Sequence, residues 1–359
     1  VWKEQNWQNN KRKKVMNNPK ATTHAPHIHT KNSVRNVMLH VLLALIPAII
    51  AYVYFFGFGI VLQITLSVFF ALLFEIISLK LLKKPVGLFI SDLSAVVTGI
   101  LFALCISPLA PWWISLIAMF FAIVVAKHLY GGLGQNIFNP AMVGFAVVLI
   151  SFPQSMSMWL APHSIALYDM SFSEVLSAVF TQSFPANVEF DTLTQATPLD
   201  SIKNGLRQEL TMTEISAQPE FGKLGGLAWE WISSLYILGG VFLILKNIIS
   251  WRVPTTVIIA TVLFALPFYL YNPDGYISPL QHLFTGGLLL GAFFIATDPT
   301  SGCSSPKGQI IFAIGVAVMT VLIREFGNFP DGVAFGVLLM NLSAPLIDRL
   351  TIPKAYGQI

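Results

Sequence analysis

Charge is scarce in this chain. Asp, Glu, Lys and Arg make up 11% of its 359 residues, where soluble domains carry about a quarter, while 55% are hydrophobic and the mean hydropathy is +0.70. A soluble enzyme is excluded on that ground. Nucleic acid is excluded as a partner as well: the net charge of +4 comes from 21 basic against 17 acidic residues, and the basic ones sit in short stretches between hydrophobic runs. Cysteine is almost missing. Cys105 and Cys303 cannot supply the four thiolates of an ordinary Cys-bound iron–sulfur cluster and read as small hydrophobic residues. No signal peptide is visible, because the first apolar run is too long and lacks a small-residue cleavage site. The glycine-rich Gly131-Gly132-Leu133-Gly134-Gln135-Asn136 follows no strand and precedes no Lys-Ser/Thr pair, so it is not a phosphate loop. It reads instead as a close backbone approach or as unwound backbone lining a cavity. No Ser/His/Asp grouping has a recognisable local signature, and residues 1–15, ahead of Met16, fit none of the patterns that follow.

What the chain has is long hydrophobic runs. About 20 apolar residues cross a hydrocarbon core. That ruler predicts an all-α integral membrane protein of ten spans, near 37–57, 60–82, 92–108, 112–129, 138–152, 226–245, 254–271, 280–296, 309–324 and 333–349. With the basic N-terminal tail on the cytoplasmic side, 17 of the 21 Lys and Arg fall inside, and only Lys203, Arg207, Lys223 and Arg324 fall outside, as the positive-inside rule requires. The expected organisation is a cytoplasmic basic tail (1–36), a five-helix half (37–152), an outer polar loop (153–225), a second five-helix half (226–350) and a cytoplasmic C-terminus (351–359). Spans 92–108 and 138–152 are short and bounded by Pro and Gly, as interrupted helices in inverted-repeat transporters are. Asn136–Leu149 resembles Asn328–Leu339, and Thr98-Gly99 to Ser107-Pro108 has an echo in Gly286-Gly287 to Asp298-Pro299. Five spans per half, an odd number, make two such copies inverted.

Charges inside spans cost on the order of 3 kcal/mol at the centre, so each needs a role. Glu75 sits close enough to the cytoplasmic end of span two to pair with Lys80; its functional reading is an ion or proton site. Asp92 and Asp298 lie at the cytoplasmic ends of spans three and eight. Ser91-Asp92 can cap a helix start and Asp298-Pro299 can end a helix, while a cation path between the halves would also want carboxylates there. His40, His128 and His282 read as packed or interfacial, and His24, His27 and His29 as a solvated tail, so no metal site is expected.

The one long polar interval holds Asp191-Thr-Leu-Thr-Gln-Ala-Thr-Pro-Leu-Asp200. A Thr before Pro commonly fixes an extended turn, because the proline ring pushes its predecessor out of the α region. Asp-x-x-Thr-x-Ala-Thr also resembles the signature at which flavin mononucleotide (FMN) is joined by its phosphate to a threonine hydroxyl in membrane subunits of ion-pumping redox complexes. The residue matching the flavin-bearing threonine is Thr197; Asp191 and Thr194 match the rest, Asp191 being read by the modifying enzyme rather than used in electron transfer.

Further words extend the resemblance: Ala126–Met142, Ile150-Ser-Phe-Pro153, Gly291–Pro299 and Phe329–Phe335 look like the D-type membrane subunits of Rnf (Rsx) electron-transport complexes, from about Pro26 to the C-terminus. The sister B-type subunits of sodium-pumping NADH:quinone reductase typically have Ser-Gly where this chain has Thr194-Gln195. The resemblance implies a bacterial inner-membrane subunit with both termini cytoplasmic and the flavin loop periplasmic. It implies a complex moving electrons between ferredoxin and NAD, coupled to Na+ or H+ translocation. The partners it implies are the G-type flavoprotein and the A- and E-type membrane proteins of such complexes, and a noncovalent riboflavin is implied as a second flavin. The fold it implies is similar to that of urea and ammonium channels. A solute channel with an inverted-repeat pore and no redox role therefore stays open as the alternative, as does a scaffold.

Overall fold

The computed structural model describes residues 33–185 and 193–351. In a hydrocarbon solvent the backbone has no outside hydrogen-bond partner, so apolar runs close their own bonds as helices. The first half runs α1 (Val34–Phe56), α2 (Gly59–Leu81), a short α3 (Val86–Ile90), α4 (Ser94–Ala103), α5 (Trp112–His128) and α6 (Pro140–Ser151). Next come α7 (Pro153–Ser157), strand β1 (Trp159–Leu160), α8 (Phe172–Thr181), strand β2 (Thr194–Gln195), α9 (Pro198–Arg207) and α10 (Met212–Ser216). The second half is α11 (Leu227–Leu245), α12 (Arg252–Tyr271), α13 (Pro279–Phe284), α14 (Leu288–Leu290, running into a π turn over Gly291–Ile295), α15 (Pro306–Phe326) and α16 (Val333–Thr351). Among the described residues, six helices are long and apolar enough to cross a membrane: α1, α2, α11, α12, α15 and α16. Their outward faces are apolar; Ile50, Leu263, Leu270 and Tyr271, for example, are all exposed.

Each expected span coincides with helix, but two are cut. The stretch 92–108 is helical only over α4, and 280–296 is broken between α13 and α14 at Thr285-Gly286-Gly287. Both halves therefore contain a helix of five or six residues, a three-residue break and a second helix, and each break holds a left-handed residue, Leu93 (φ 65°) or Gly286 (φ 72°). The sequence echo does not follow this correspondence. Thr98-Gly99 lies inside α4, where a Cβ on Gly99 would meet the α2 backbone at Val68 N at 2.9 Å, while Gly286-Gly287 forms the break itself. Glycine at 99 serves helix–helix approach and glycine at 286 a positive φ, two different demands that happen to share a letter.

The halves pack through α1 against α11, α6 against α16 and a continuous core that includes Tyr52, Phe102, Tyr236 and Phe312. Gly239 allows the first crossing, since a Cβ there would collide with Ala44 O. Asn341 ties the second: its Oδ1 accepts from Asn139 N at 3.0 Å and its Nδ2 donates to Ser301 O at 3.0 Å.

Glu75 is not paired with Lys80. It is 1% exposed and holds Lys127 Nζ at 2.8 and 2.9 Å and His128 Nε2 at 3.0 Å, both on α5. Residues 120–128 of α5 are π-helical, a wider turn in which successive side chains diverge less, so neighbours 127 and 128 both reach one carboxylate. Lys127 is buried, not an interfacial lysine, and Arg324 is buried too; each drops out of the topological tally, one from either side. Glu75→Gln leaves Lys127 with Ser94 Oγ, at 2.8 Å, and no carboxylate. Breaking a buried pair by removing one partner costs about 3–5 kcal/mol, so the variant is expected to lose several degrees of melting temperature in detergent. An unchanged melting temperature would rule this account out.

Candidate functional site

The polar interval is a folded cap rather than a loop. In α9, Pro198, Leu199, Ile202 and Gly205 face inward, and Leu199 and Ile202 form a small cluster with Met212, Ile215 and Ile277. Ahead of α9, β2 pairs antiparallel with β1, Trp159 opposite Gln195 and Leu160 opposite Thr194. Glu220 ties the segment from below, accepting from Gln195 Nε2 at 3.2 Å and from Ser201 Oγ at 3.0 Å. Asp191 lies outside the described residues.

Thr197 thus sits between a pinned strand and a docked helix. Its φ of −63° and ψ of 155° are extended, as the following proline demands, yet it does not lie on an extended loop: it is the N-cap of α9, and its Oγ1 accepts from Asp200 N at 3.2 Å. The same hydroxyl donates to Asp200 Oδ2 at 2.5 Å. Burial pushes the Asp200 carboxyl above the usual carboxylate range, in spite of the hydrogen bonds from Thr197 and helped by the neighbouring charge of Asp331.

Thr197 and Asp200 stand on the wall of a cavity of about 370 Å³ that runs down between the two halves. Its other walls include Phe145, Trp159, Trp229 and Phe329, with Tyr52, Cys105 and Tyr236 also facing it. The Tyr52 hydroxyl donates to Leu104 O at 3.0 Å, and the buried Tyr236 hydroxyl stands beside it. A largely apolar cavity of this size with a few convergent polar groups is the usual form of a small-molecule site, about 300–1,000 Å³.

One wall is the broken helix. Arg324 Nη1 donates to His282 O at 2.5 Å and Nη2 to Thr285 O at 3.1 Å, occupying carbonyls that the end of α13 leaves free. Its Nε and Nη2 both meet Asp331 Oδ1 at 3.1 Å, and Asp331 Oδ2 accepts from Gly287 N at 2.8 Å at the start of α14. One ion pair therefore caps both ends of the break. Lys203 of α9 donates to Ile323 O, Arg324 O and Phe329 O at 3.3, 3.1 and 2.9 Å, fixing the Thr197 helix onto the end of α15. Arg324, Asp331 and Lys203 were missed as site residues in sequence; the Arg324–Asp331 spacing across a Gly-Asn-Phe-Pro turn was the available signal.

The three carboxylates of the expected ion path are not brought together. Asp92 Oδ1 accepts from Ser94 N and Oγ at 2.7 and 2.6 Å from one residue ahead of the α4 N-cap, which is Leu93 and not Ser91 or Asp92, and Glu75 is engaged with α5. Asp298 accepts from Thr300 N, Thr300 Oγ1 and Ser301 Oγ, at 2.9–3.2 Å. Of the three, Asp298 alone lines a second cavity, of about 90 Å³, with Lys127, Asn136 and Thr300. Asn136 donates to Thr300 Oγ1 at 2.9 Å, so the unwound backbone after Gly134 does line a cavity between the halves.

The chain is similar over nearly its whole length to known proteins. It is 44% identical over 340 residues to the D subunit of the ion-translocating oxidoreductase complex of Aeromonas salmonicida (strain A449), covering 93% of this chain and 97% of that one. The protein of the same description from Aliivibrio salmonicida is 43% identical over 342 residues, with the same coverage, and that from Yersinia pseudotuberculosis serotype O:1b is 44% identical over 341 residues, with the same coverage. A family model described as NQR2, RnfD, RnfE matches residues 21–357. With that match over residues 21–357 and identity of this extent, the chain belongs to the NQR2, RnfD, RnfE family.

Proposed function

We propose that the chain is a membrane subunit of an ion-translocating oxidoreductase complex and that it carries FMN joined by its phosphate to Thr197. The observation that supports this most is the placement of the Thr197 hydroxyl, at a helix N-terminus and on the wall of an aromatic cavity. The residues fit the group. A phosphoester at Thr197 Oγ1 would put negative charge at the positive end of the α9 dipole, where Pro198 has no N–H and those of Asp200 and Ser201 are already bonded to Thr197; Trp159, Trp229 and Phe329 would hold a wide apolar ring; Tyr236 would turn its hydroxyl to a polar ring edge. When bound, FMN supplies one- and two-electron transfer that no side chain here can. The protein's own part is to pin the attachment point through Lys203 and Glu220, to exclude water with aromatic walls, and to keep the ring site between the two halves.

In the same reading the cap of α8 to α10 is periplasmic in a bacterial inner membrane, both termini are cytoplasmic, and the two halves are inverted five-helix repeats of the urea and ammonium channel type. Electrons pass between ferredoxin and NAD on partner proteins by way of this chain and the G-type flavoprotein, with the A- and E-type membrane proteins beside it, and are coupled to Na+ or H+ movement. The sequence-based choice of Asp298 for an ion path keeps its cavity, and Asp92 does not share it. The test is peptide mass spectrometry on the full chain co-expressed with a flavin transferase. An adduct of about 438 Da, the mass of FMN less water for a phosphoester, is expected on the peptide holding Thr197. A bare peptide, in cells where the transferase modifies another acceptor, would overturn the reading.

A further inference from the structure

The chain contains the same short pattern three times: a hydroxyl residue followed three places later by an acid. At Ser171 and Glu174, and again at Thr211 and Glu214, the pattern forms a complete capping box. There the carboxylate accepts from both the backbone N–H and the hydroxyl of the cap, at 2.7 and 2.7 Å for Ser171 and at 2.8 and 2.8 Å for Thr211. Glu214 is exposed and Glu174 half-buried. Hydrogen bonds hold both carboxyls below the ordinary range, from the Tyr168 hydroxyl and Ser171 for Glu174, and from Thr211 N–H and hydroxyl for Glu214. These two are caps and nothing more.

At Thr197 and Asp200 the side-chain pattern is that of Thr211 and Glu214, the hydroxyl donating to the carboxylate and accepting from the backbone N–H of the acid at 3.2 Å in both, but the hydroxyl-to-carboxylate distance is shorter, 2.5 against 2.8 Å. The carboxylate also faces a cavity that neither glutamate has. Around it stand Lys203 on its own helix and, from the turn before α16, Asp331, whose charge is taken up by Arg324 of α15. One lone pair of Thr197 Oγ1 is engaged by Asp200 N and the proton by Asp200 Oδ2, which leaves the second lone pair for an incoming electrophile.

We propose that Asp200 is the base that receives the Thr197 proton when the flavin phosphoester is formed, making this chain a contributor of a catalytic group to its own modification. The inference rests on the attachment reading above. The step balances with a flavin nucleotide activated as a pyrophosphate: Thr197 Oγ1 forms a bond to the flavin-side phosphorus, the pyrophosphate P–O bond breaks, a nucleoside monophosphate leaves, and the hydroxyl proton passes to Asp200. No oxidant or reductant is consumed. A hydroxyl is a poor nucleophile without an adjacent base, and a positioned carboxylate in hydrogen-bond contact with the proton it removes meets the geometric requirement.

The test is the rate of adduct formation on the full chain in detergent, using a flavin transferase and flavin adenine dinucleotide, read by mass spectrometry of the Thr197 peptide and normalised to the same transferase on an unrelated acceptor. Asp200→Asn keeps an oxygen for the hydroxyl and a backbone N–H for the cap, so the cap survives; melting temperature checks that it does. The expected result is a rate about 10²-fold or more below the parent, the usual contribution of a general base. In the parent the normalised rate should rise with pH through a midpoint above the ordinary aspartate range, because the base works only when deprotonated, and in Asp200→Asn that rise should be missing. Parent-like rates in the variant, or a slower rate with the parent's pH profile, would overturn the base role while leaving the attachment intact. A parent chain that stays bare while the unrelated acceptor is modified would overturn both.

Discussion

Thr197→Ala should carry no flavin, and Thr197→Ser should carry it. The contrast isolates one atom. Serine keeps the oxygen and its cap contact with Asp200 N, whereas alanine removes the nucleophile outright. The structural cost of alanine is small: losing an N-cap hydroxyl destabilises by about 1 kcal/mol, and α9 retains Lys203 on the α15 carbonyls of Ile323 and Arg324, Ser201 on Glu220 and its apolar face in the cluster around Ile215. Thr197→Ala should therefore accumulate in the membrane near parental levels with adduct occupancy falling from near complete to none. Intact mass and in-gel flavin fluorescence read this directly. An adduct surviving on the alanine variant would place the attachment elsewhere. Loss of both adduct and protein would show that the hydroxyl is structural.

Arg324→Leu should be the most destabilising of the site variants. The guanidinium is buried on α15 and holds two carbonyls at the end of α13 and the carboxylate of Asp331. Leucine fills part of the volume but leaves His282 O and Thr285 O without these donors and Asp331 without its cation. Removing one partner of a buried pair costs about 3–5 kcal/mol. The low end applies here, because the Asp331 side chain is 25% exposed and can recover some solvation. The loss concentrates at the break, where Gly286 is already held at φ 72° by these contacts and where a Cβ would come within 2.8 Å of Asp331 Oδ2. Asp331→Asn should cost less, since an amide still accepts from Gly287 N and Arg324 keeps both carbonyls. Thermal melting of the detergent-solubilised chain separates the cases: the expected order is parent, then Asp331→Asn, then Arg324→Leu. If Arg324→Leu melts with the parent, the ion pair does not hold the break.

Whether a residue was legible in the sequence depended on how local its cause was. Helix positions were readable because apolar composition over about 20 residues is a property of a continuous stretch, and the ends of the six long helices fall close to the expected bounds. The extended backbone of Thr197 was readable because proline acts on the residue just before it. The partner of Glu75 was not readable. The nearest lysine in sequence, Lys80, lost to Lys127, 52 residues away, because a π-helical turn on a neighbouring helix presents Lys127 and His128 together. Asp92 and Asp298 looked alike as acids at span ends, and only their placement separated a turn ahead of α4 from a cavity wall.

Hydropathy and proline act at short range, and they sufficed for a helical membrane chain, the places of its helices and the extended backbone at Thr197, the residue proposed to carry the flavin. Three-dimensional packing was needed to make the polar interval a folded cap, to turn Thr197 toward an aromatic cavity, and to clamp a broken helix beside it with Arg324 and Asp331. Most of these arrangements join residues tens to more than a hundred positions apart, and burial makes such pairings obligatory: a buried charge or carbonyl must find its partner wherever the packing brings one.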